Sequence, residues 1–185
     1  RMSSAASPAV ERALALVGEF HPDAAAFGRM REVAPEDLPE VPRRLLDHRS
    51  HMTVAMERFH GGPVDLRIVS ERAPASPRER YAREILLLRP DGRVVQHGIV
   101  RIDLAAVPPE TAAAIRAGRA PLGRILVAAG LLCDVQAVRL LEIAAGPHLA
   151  DRCGCAVGTT TFGRVAEIRV AGAAAIELLE TVAPA

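Results

Sequence analysis

The sequence contains no lysine, and this absence excludes several classes of enzyme at once. A protein without lysine can form neither a Schiff base with a carbonyl substrate nor the linkage that anchors pyridoxal phosphate, and it has no P-loop lysine for nucleotide phosphates. Asparagine and tryptophan are also absent, whereas alanine, arginine, glycine and proline are abundant. This composition is typical of GC-rich coding, so the number of arginines carries little functional information.

Cysteine is too scarce and too closely spaced for the common zinc sites. The chain has three cysteines, an odd number, and only Cys153 and Cys155 are near each other. A spacing of one residue is tighter than in the usual zinc knuckle, which favours reduced thiols in a loop over a metal site. His48, His51 and His60 are near one another in sequence, but no cluster of carboxylates accompanies them, so a metal site is disfavoured there as well.

Long apolar runs are missing too. No run approaches the roughly 18 residues that span a membrane, and the first twenty residues lack the apolar stretch of a signal peptide. The 23 arginines and 22 acidic residues leave a net charge of +1, which disfavours a nucleic acid as the main partner. Since 185 residues, half of them apolar, suffice for one core, we expect a cytoplasmic domain that binds neither membrane nor nucleic acid.

Proline divides the chain into two predicted regions. Residues 1–42 are expected to form an irregular lead-in, and residues 43–185 a single domain. Within the lead-in, Ser7 is a suitable N-cap for a helix over residues 8–18 with Pro8 in its first turn. Further prolines interrupt the rest of the lead-in, so no other regular element is predicted there.

The domain is predicted to contain six strands and three short helices. Asp91-Gly92 lies between two apolar runs, which is a strong hairpin signal, and residues 146–160 are expected to form a loop that acts as a lid. Strands grouped with helices in this way predict an α+β fold with one mostly antiparallel sheet. The predicted strands are residues 64–69, 80–89, 94–103, 138–144, 161–170 and 174–182, and the predicted helices follow Ser50 and cover residues 108–118 and 121–129.

Three charged residues interrupt the apolar faces of predicted strands. Glu180 is the one charge on the more apolar face of the last strand, where burial would be costly without a partner or a function. A solvated position at the strand end is the alternative. In the second strand either Arg83 or Glu84 must point inward, and an inward Arg83 would bind a ligand carboxylate or pair with Glu180. Arg164 is a further candidate for an inward cation.

Four patches together resemble the bacterial chorismate pyruvate-lyase (4-hydroxybenzoate synthase) family. They are residues 51–53, 81–87, 120–124, and 162–164 followed by Glu180, and their order and spacing agree from about residue 43 onward. The resemblance implies one α+β domain with a six-stranded antiparallel sheet, in which helices and flap-like loops cover an internal ligand cavity. It also implies a reaction without cofactor, a carbon–oxygen elimination that converts chorismate into 4-hydroxybenzoate and pyruvate.

The resemblance also implies roles for particular residues. Arg83 would hold the ring carboxylate, and Glu180 would lie beside the ring hydroxyl; these two are the expected catalytic residues. Met52 and Leu122 would contact the ligand, largely through backbone groups, and Arg164 is a candidate for the second carboxylate. Side chains of these types suit the chemistry, because a buried dicarboxylate needs fixed cations and a carboxyl with a raised pKa can transfer protons.

Departures from the family leave other functions open. The chain lacks tryptophan, Phe162 stands where the family often has a larger aromatic residue, and residues 146–160 match nothing. An enzyme of the same fold acting on another carboxylated or secondary-metabolite intermediate is one alternative. A non-catalytic small-molecule-binding module is another, since a related fold serves as the effector domain of some transcription regulators, although the lead-in does not predict their helix-turn-helix.

Overall fold

One antiparallel sheet of seven strands forms the centre of the protein, seen here in a computed structural model that describes residues 6–76 and 80–184. The strands are β1 (Gly28–Val33), β2 (Asp65–Arg72), β3 (Tyr81–Leu88), β4 (Val94–Ile102), β5 (Cys133–Ala145), β6 (Thr160–Val170) and β7 (Ala173–Val182). Their order across the sheet is β1-β5-β6-β7-β4-β3-β2. The predicted fold class, α+β with a single antiparallel sheet, is confirmed.

Helices cover both faces of the sheet. They are α1 (Pro8–Val17), α2 (Ala24–Phe27), α3 (Glu40–Leu46), α4 (Met52–His60), α5 (Pro109–Ala117), α6 (Leu122–Ala128) and α7 (Pro147–Cys153). α1, α2 and α7 pack on one face, and α3 to α6 pack on the other. Because helices cover both faces, all eight residues of β3 are buried. The alternation of residues along this strand had predicted that only one of its two faces is buried.

The sheet has seven strands rather than the predicted six. The additional strand, β1, pairs with β5 from Gly28 opposite Ala145 to Val33 opposite Leu140. β1 is an edge strand, and most of its side chains are exposed or half-buried. It therefore lacks the alternation of apolar and polar residues that predicted the other strands.

The expected irregular lead-in contains regular structure. Ser7 accepts a hydrogen bond from the backbone N–H of Val10 at 3.4 Å, as expected of the N-cap, and α1 buries Leu16 and Val17 against the sheet. α2 and β1 come next, so residues 8–33 are part of the same core as the sheet. Residues 1–5 of the predicted lead-in lie outside the described residues, and the boundary at residue 42 stays a prediction.

Two helices that frame the functional site begin and end close to the predicted positions. The N-cap of α4 is His51 rather than Ser50, and no side chain caps this end of the helix. Gly61 ends α4 in the left-handed conformation at φ 68°, which glycine adopts without strain. α6 also begins without a side-chain cap, directly after Pro121.

The predicted lid over residues 146–160 is half helical and packs elsewhere. α7 buries Leu149, Ala150 and Cys153, a spacing that fits one face of a helix, and Gly154 ends it at φ 66°. These side chains join the cluster that contains α1, on the face of the sheet opposite α4 to α6. Burial raises the pKa of the Cys153 thiol to about 12.

Within the part of the chain that the structure describes, no helix has the length and apolar character needed to cross a bilayer.

Candidate functional site

A cavity lies between the sheet and the first turns of α4 and α6. Its volume is about 40 Å³, which is smaller than the roughly 300–1,000 Å³ of typical small-molecule sites, so a ligand of ring size requires the cavity to widen. The sheet contributes apolar walls together with buried polar side chains from four strands. The polar and charged side chains that line it are His51, Thr53, Arg83, Gln96, Arg164 and Glu180.

Arg83 extends from β3 into the lining of this cavity and is only 1% exposed. One guanidinium nitrogen donates to the carbonyl of Ile115 at 3.3 Å, while Nε has no hydrogen-bond partner among the described residues. Within the same described ranges, no acidic side chain forms an ion pair with Arg83. Burial lowers its pKa from the ordinary value, although Tyr81 and Glu71 oppose that shift.

Glu71, the cross-strand partner of Arg83 on β2, is bound by Tyr81. The Tyr81 hydroxyl donates to Glu71 at 2.8 Å, and burial together with this hydrogen bond raises its pKa to about 12. The phenol is therefore neutral at physiological pH, and Glu71 acts on Arg83 only at a distance. Arg83 remains a buried cation without a directly bound anion.

Arg164 and Glu180 form a buried ion pair beside the cavity. They face each other on β6 and β7, and Arg164 Nε donates to Glu180 Oε2 at 2.8 Å. The same guanidinium donates to the carbonyl oxygens of His48 at 2.8 Å and Ser50 at 3.1 Å. The alternative pairing considered from the sequence, Arg83 with Glu180, is not formed.

Glu180 is 8% exposed, and the pKa of its carboxyl is raised from the ordinary value. Burial is the main cause, and it is opposed by hydrogen bonds from Arg164 and Gln96. Glu180 is therefore held by Arg164 and Gln96, and its charge is balanced by Arg164. The donors of Arg164 are largely occupied by this pair and by the α3–α4 connection, which leaves little of the expected capacity to bind a second carboxylate.

Gln96 is a site residue that sequence reasoning missed. It is 2% exposed, it lines the cavity from β4, and its Oε1 has no partner among residues 6–76 and 80–184. A glutamine within a mostly apolar strand was the available signal, because such a side chain needs a partner when it is buried.

Met52 and Leu122 lie where the sequence placed them, at the first turns of the two helices that border the cavity. These helices approach closely, since a Cβ atom added to Gly123 would lie 2.8 Å from the Cβ of His51. No side chain caps the first backbone N–H groups of α4, although the N–H of Val54 donates to the carbonyl of His51 at 3.1 Å. Burial, with a smaller contribution from Arg164, lowers the pKa of His51 and favours its neutral form.

A second polar cluster lies on the other face of the sheet and was not predicted. Glu84 is completely buried, and its Oε1 accepts hydrogen bonds from His21 and His97, both at 2.9 Å. Arg152 approaches the same oxygen at 3.4 Å from α7. Burial would raise the pKa of Glu84, but the two histidines outweigh it and hold the pKa at about 2.

Comparisons with known proteins show little beyond the fold. No model of a protein family matches the chain, and no curated protein is significantly similar to it. One similar solved structure is YydK from Bacillus subtilis, described as a transcriptional regulator, with 10% identity and a TM-score of 0.45 over 64% of this chain and 57% of that chain. Another is the ligand-binding domain of a protein from Bordetella bronchiseptica that is assigned to the GntR family of transcriptional regulators. It is 17% identical to this chain, with a TM-score of 0.48, and the match covers 64% of this chain and 85% of that chain. This chain thus spans little more than half of YydK, and at such values the likeness supports no conclusion about function.

The resemblance to the chorismate pyruvate-lyase family is wrong as an assignment of this chain. No family model supports it, and the similar solved structures are described as regulators or their domains rather than as lyases. The four patches are short strings of common residues, and their spacing follows from the order of strands and helices.

Proposed function

We propose that the protein binds a small organic acid in this cavity and that Arg83 holds the carboxylate. The observation that carries the proposal is a guanidinium that is 1% exposed, lines a cavity and forms no ion pair with any described acidic residue. An unpaired buried charge costs several kcal/mol, and the carboxylate of a ligand would offset that cost.

The walls of the cavity support a compact, largely apolar ligand body. Ile85, Val100 and Leu178 line the sheet side between the polar groups. Two strand spacings and two residues along the strands separate the backbones of Arg83 and Glu180, which corresponds to about 12 Å. A ligand that reaches both side chains can therefore be no larger than a single ring with one polar substituent at each end, and the cavity of about 40 Å³ must widen to admit it.

Benzoate and benzamide provide a direct test, because they share one ring and differ in charge. We expect benzoate to bind at least about tenfold more tightly than benzamide, since a charge-assisted hydrogen bond contributes about 1.5–3 kcal/mol. Substitution Arg83→Met should abolish this preference, whereas Arg116→Met, at an exposed position of α5, should not change it. Isothermal titration calorimetry measures all of these affinities. Equal binding of benzoate and benzamide, or unchanged binding by the Arg83 variant, would contradict the proposal.

An enzyme that acts on the bound acid by proton transfer is a second candidate. It is favoured by Glu180, whose buried carboxyl has a raised pKa and therefore a basicity suited to a general base. Phenylpyruvate in D₂O tests it, because a general base accelerates exchange of the protons next to the carbonyl by about 10²- to 10⁴-fold. NMR should show faster exchange with the natural protein than with Glu180→Gln, and exchange at the buffer rate would exclude this candidate.

A further inference from the structure

A larger cleft lies beside the turn that joins β3 and β4. Its volume is about 470 Å³, which is within the roughly 300–1,000 Å³ of typical small-molecule sites. None of the residues that line it also lines the cavity at Arg83. The cleft is therefore a separate site, and it admits a small molecule without the widening that the cavity at Arg83 requires.

The walls of the cleft are mostly apolar. α3 contributes Val41 and Leu45, α4 contributes Phe59, and β6 and β7 contribute Phe162 and Val182. Val41 is 44% exposed and Phe59 is 38% exposed, so part of this apolar surface is in contact with water. A ligand with an apolar body would cover it, and the removal of apolar surface from water favours binding.

The strand side of the cleft is elongated. Its lining residues come from the neighbouring strands β4, β7 and β6, and the backbone N–H of Ala183 donates to the carbonyl of Val95 at 3.0 Å where β7 ends beside β4. Two strand spacings separate β4 from β6, which corresponds to about 10 Å. An extended alkyl chain such as that of octanoate has about this length.

Positive charge is concentrated at one end of the cleft. Arg89 and Arg93 lie on either side of the turn, and within the described ranges no acidic side chain lines the cleft. Arg89 has an exposed partner, Asp91, at 3.4 Å, whereas the exposed Arg93 forms no ion pair with any described residue. Burial, together with the two arginines, lowers the pKa of His60. This end of the cleft is therefore suited to a ligand with one negative charge.

We propose that the cleft is a second binding site and that it takes an aliphatic monocarboxylate, with the alkyl chain along the apolar wall and the carboxylate at Arg93 and Arg89. Apolar burial supplies affinity along the chain, and charge-assisted hydrogen bonds fix the position of the anionic end. The proposal does not depend on a ligand at Arg83, because the two sites share no lining residue.

Octanoate, octan-1-ol and butanoate test the two parts of this site by calorimetric titration at pH 7.5. Octanoate should bind at least about fivefold more tightly than octan-1-ol, which has no charge for the arginines. It should also bind at least about tenfold more tightly than butanoate, since each buried methylene group contributes about fourfold. Absence of octanoate binding, or equal binding of octanoate and octan-1-ol, would overturn the proposal.

The same titration of Arg83→Met distinguishes this site from the cavity at Arg83. We expect octanoate to bind this variant as tightly as it binds the natural protein. Loss of octanoate binding in Arg83→Met would place octanoate in the other cavity and would overturn the proposal while leaving the proposed function intact. Loss of benzoate binding with octanoate binding retained would have the opposite meaning.

Variants of the cleft assign the binding to its two parts. Arg93→Met should weaken octanoate binding at least about fivefold and leave octan-1-ol unchanged. Val41→Glu places a carboxylate in the apolar wall at a partly exposed position, so it should abolish octanoate binding. The matched control is Val127→Glu, which is 59% exposed on α6 and lies outside the lining. Unchanged octanoate affinity in either folded cleft variant would overturn the proposal.

A second copy of this chain is the alternative occupant of the apolar wall, and sedimentation equilibrium distinguishes it from a ligand. We expect the natural protein and Val41→Glu to have the same oligomeric state. If Val41→Glu dissociates an oligomer that the natural protein and Val127→Glu both form, the cleft is an interface between copies and the proposal is overturned.

Discussion

Arg83 and Glu84 are consecutive residues of β3, and their side chains lie on opposite faces of the sheet. The charge of Arg83 lacks an ion-pair partner among the described residues, whereas that of Glu84 has several. Arg83 lines the cavity, and Glu84 accepts hydrogen bonds from His21 and His97 at 2.9 Å each. Both side chains are almost completely buried. Removing the charge at the two positions should therefore change stability in opposite directions.

Substitution Arg83→Met should stabilise the ligand-free protein. The variant removes a buried charge that lacks a counter-ion, and we expect the free energy of unfolding to rise by about 1 kcal/mol or more. Urea denaturation measures the change, with Arg116→Met on the exposed side of α5 as the control. A loss of stability would mean that Arg83 is held mainly by its structural contacts, such as the one with the carbonyl of Ile115.

Substitution Glu84→Gln should have the opposite effect. The carboxylate is the shared acceptor for His21, His97 and Arg152, so its loss leaves buried donors without an anion. We expect a loss of about 3 kcal/mol or more in the free energy of unfolding. The control is Glu142→Gln, because its ion pair with Arg31 is exposed and should contribute little to stability. Equal effects of the two substitutions would contradict this prediction.

The Glu84 cluster should also make the fold sensitive to acid. The pKa of Glu84 is held at about 2, below the ordinary 4.5, so its contribution is present above pH 4.5 and is lost as the pH falls toward 2. Burial lowers the pKa of His97 below the ordinary 6.5, so the neutral state of that side chain favours folding above pH 6.5 and this contribution decreases at lower pH.

Both contributions have the same sign, and stability should therefore fall continuously below pH 6.5. For Glu84 the shift corresponds to about 3 kcal/mol, because one pKa unit is about 1.4 kcal/mol. Urea denaturation at a series of pH values should show a smaller decrease between pH 4.5 and 2 for Glu84→Gln than for the natural protein. Parallel curves for the two proteins would show that another group is responsible.

Close contact between the helices at the cavity leads to a prediction for Gly123. A methyl group there would lie 2.8 Å from the Cβ of His51 and 3.2 Å from the Thr53 hydroxyl, so Gly123→Ala should force α4 and α6 apart. We expect a loss of about 1–3 kcal/mol in stability and weaker benzoate binding. Gly62→Ala is the matched control, since nothing lies within 4 Å of its added Cβ. Unchanged binding by both variants would show that this contact does not shape the cavity.

Alternation along single strands predicted six of the strands, and it grouped two residues that line the cavity with apolar neighbours. It grouped Arg83 with the cavity-lining Ile85 and Leu87, and it put Glu180 on the face of Leu178. The Asp91-Gly92 turn between β3 and β4 is also formed, with Gly92 at φ 84°. These features depend on local geometry, because the side chains of a strand alternate whatever the rest of the chain does.

Features that depend on partners distant in sequence were not predictable in this way. Alternation suggested that either Arg83 or Glu84 would be buried, but both are, because helices from different parts of the chain cover both faces. The strand β1 and the helix α7 were missed for a related reason: β1 is mostly exposed, and α7 is only seven residues long with three of them buried.

The amino-acid order alone thus predicted six of the seven strands and which side chains share a face in them, although the fourth predicted strand (residues 138–144) is five residues shorter at its start than β5. Folding in three dimensions settled the pairing: Arg164 opposite Glu180, Arg83 without a carboxylate among the described residues, and Glu84 between two histidines. The physical reason is that the electrostatic energy of a buried charge depends on the groups within a few ångströms of it. In this sheet those groups come from strands and helices up to 118 residues away in sequence.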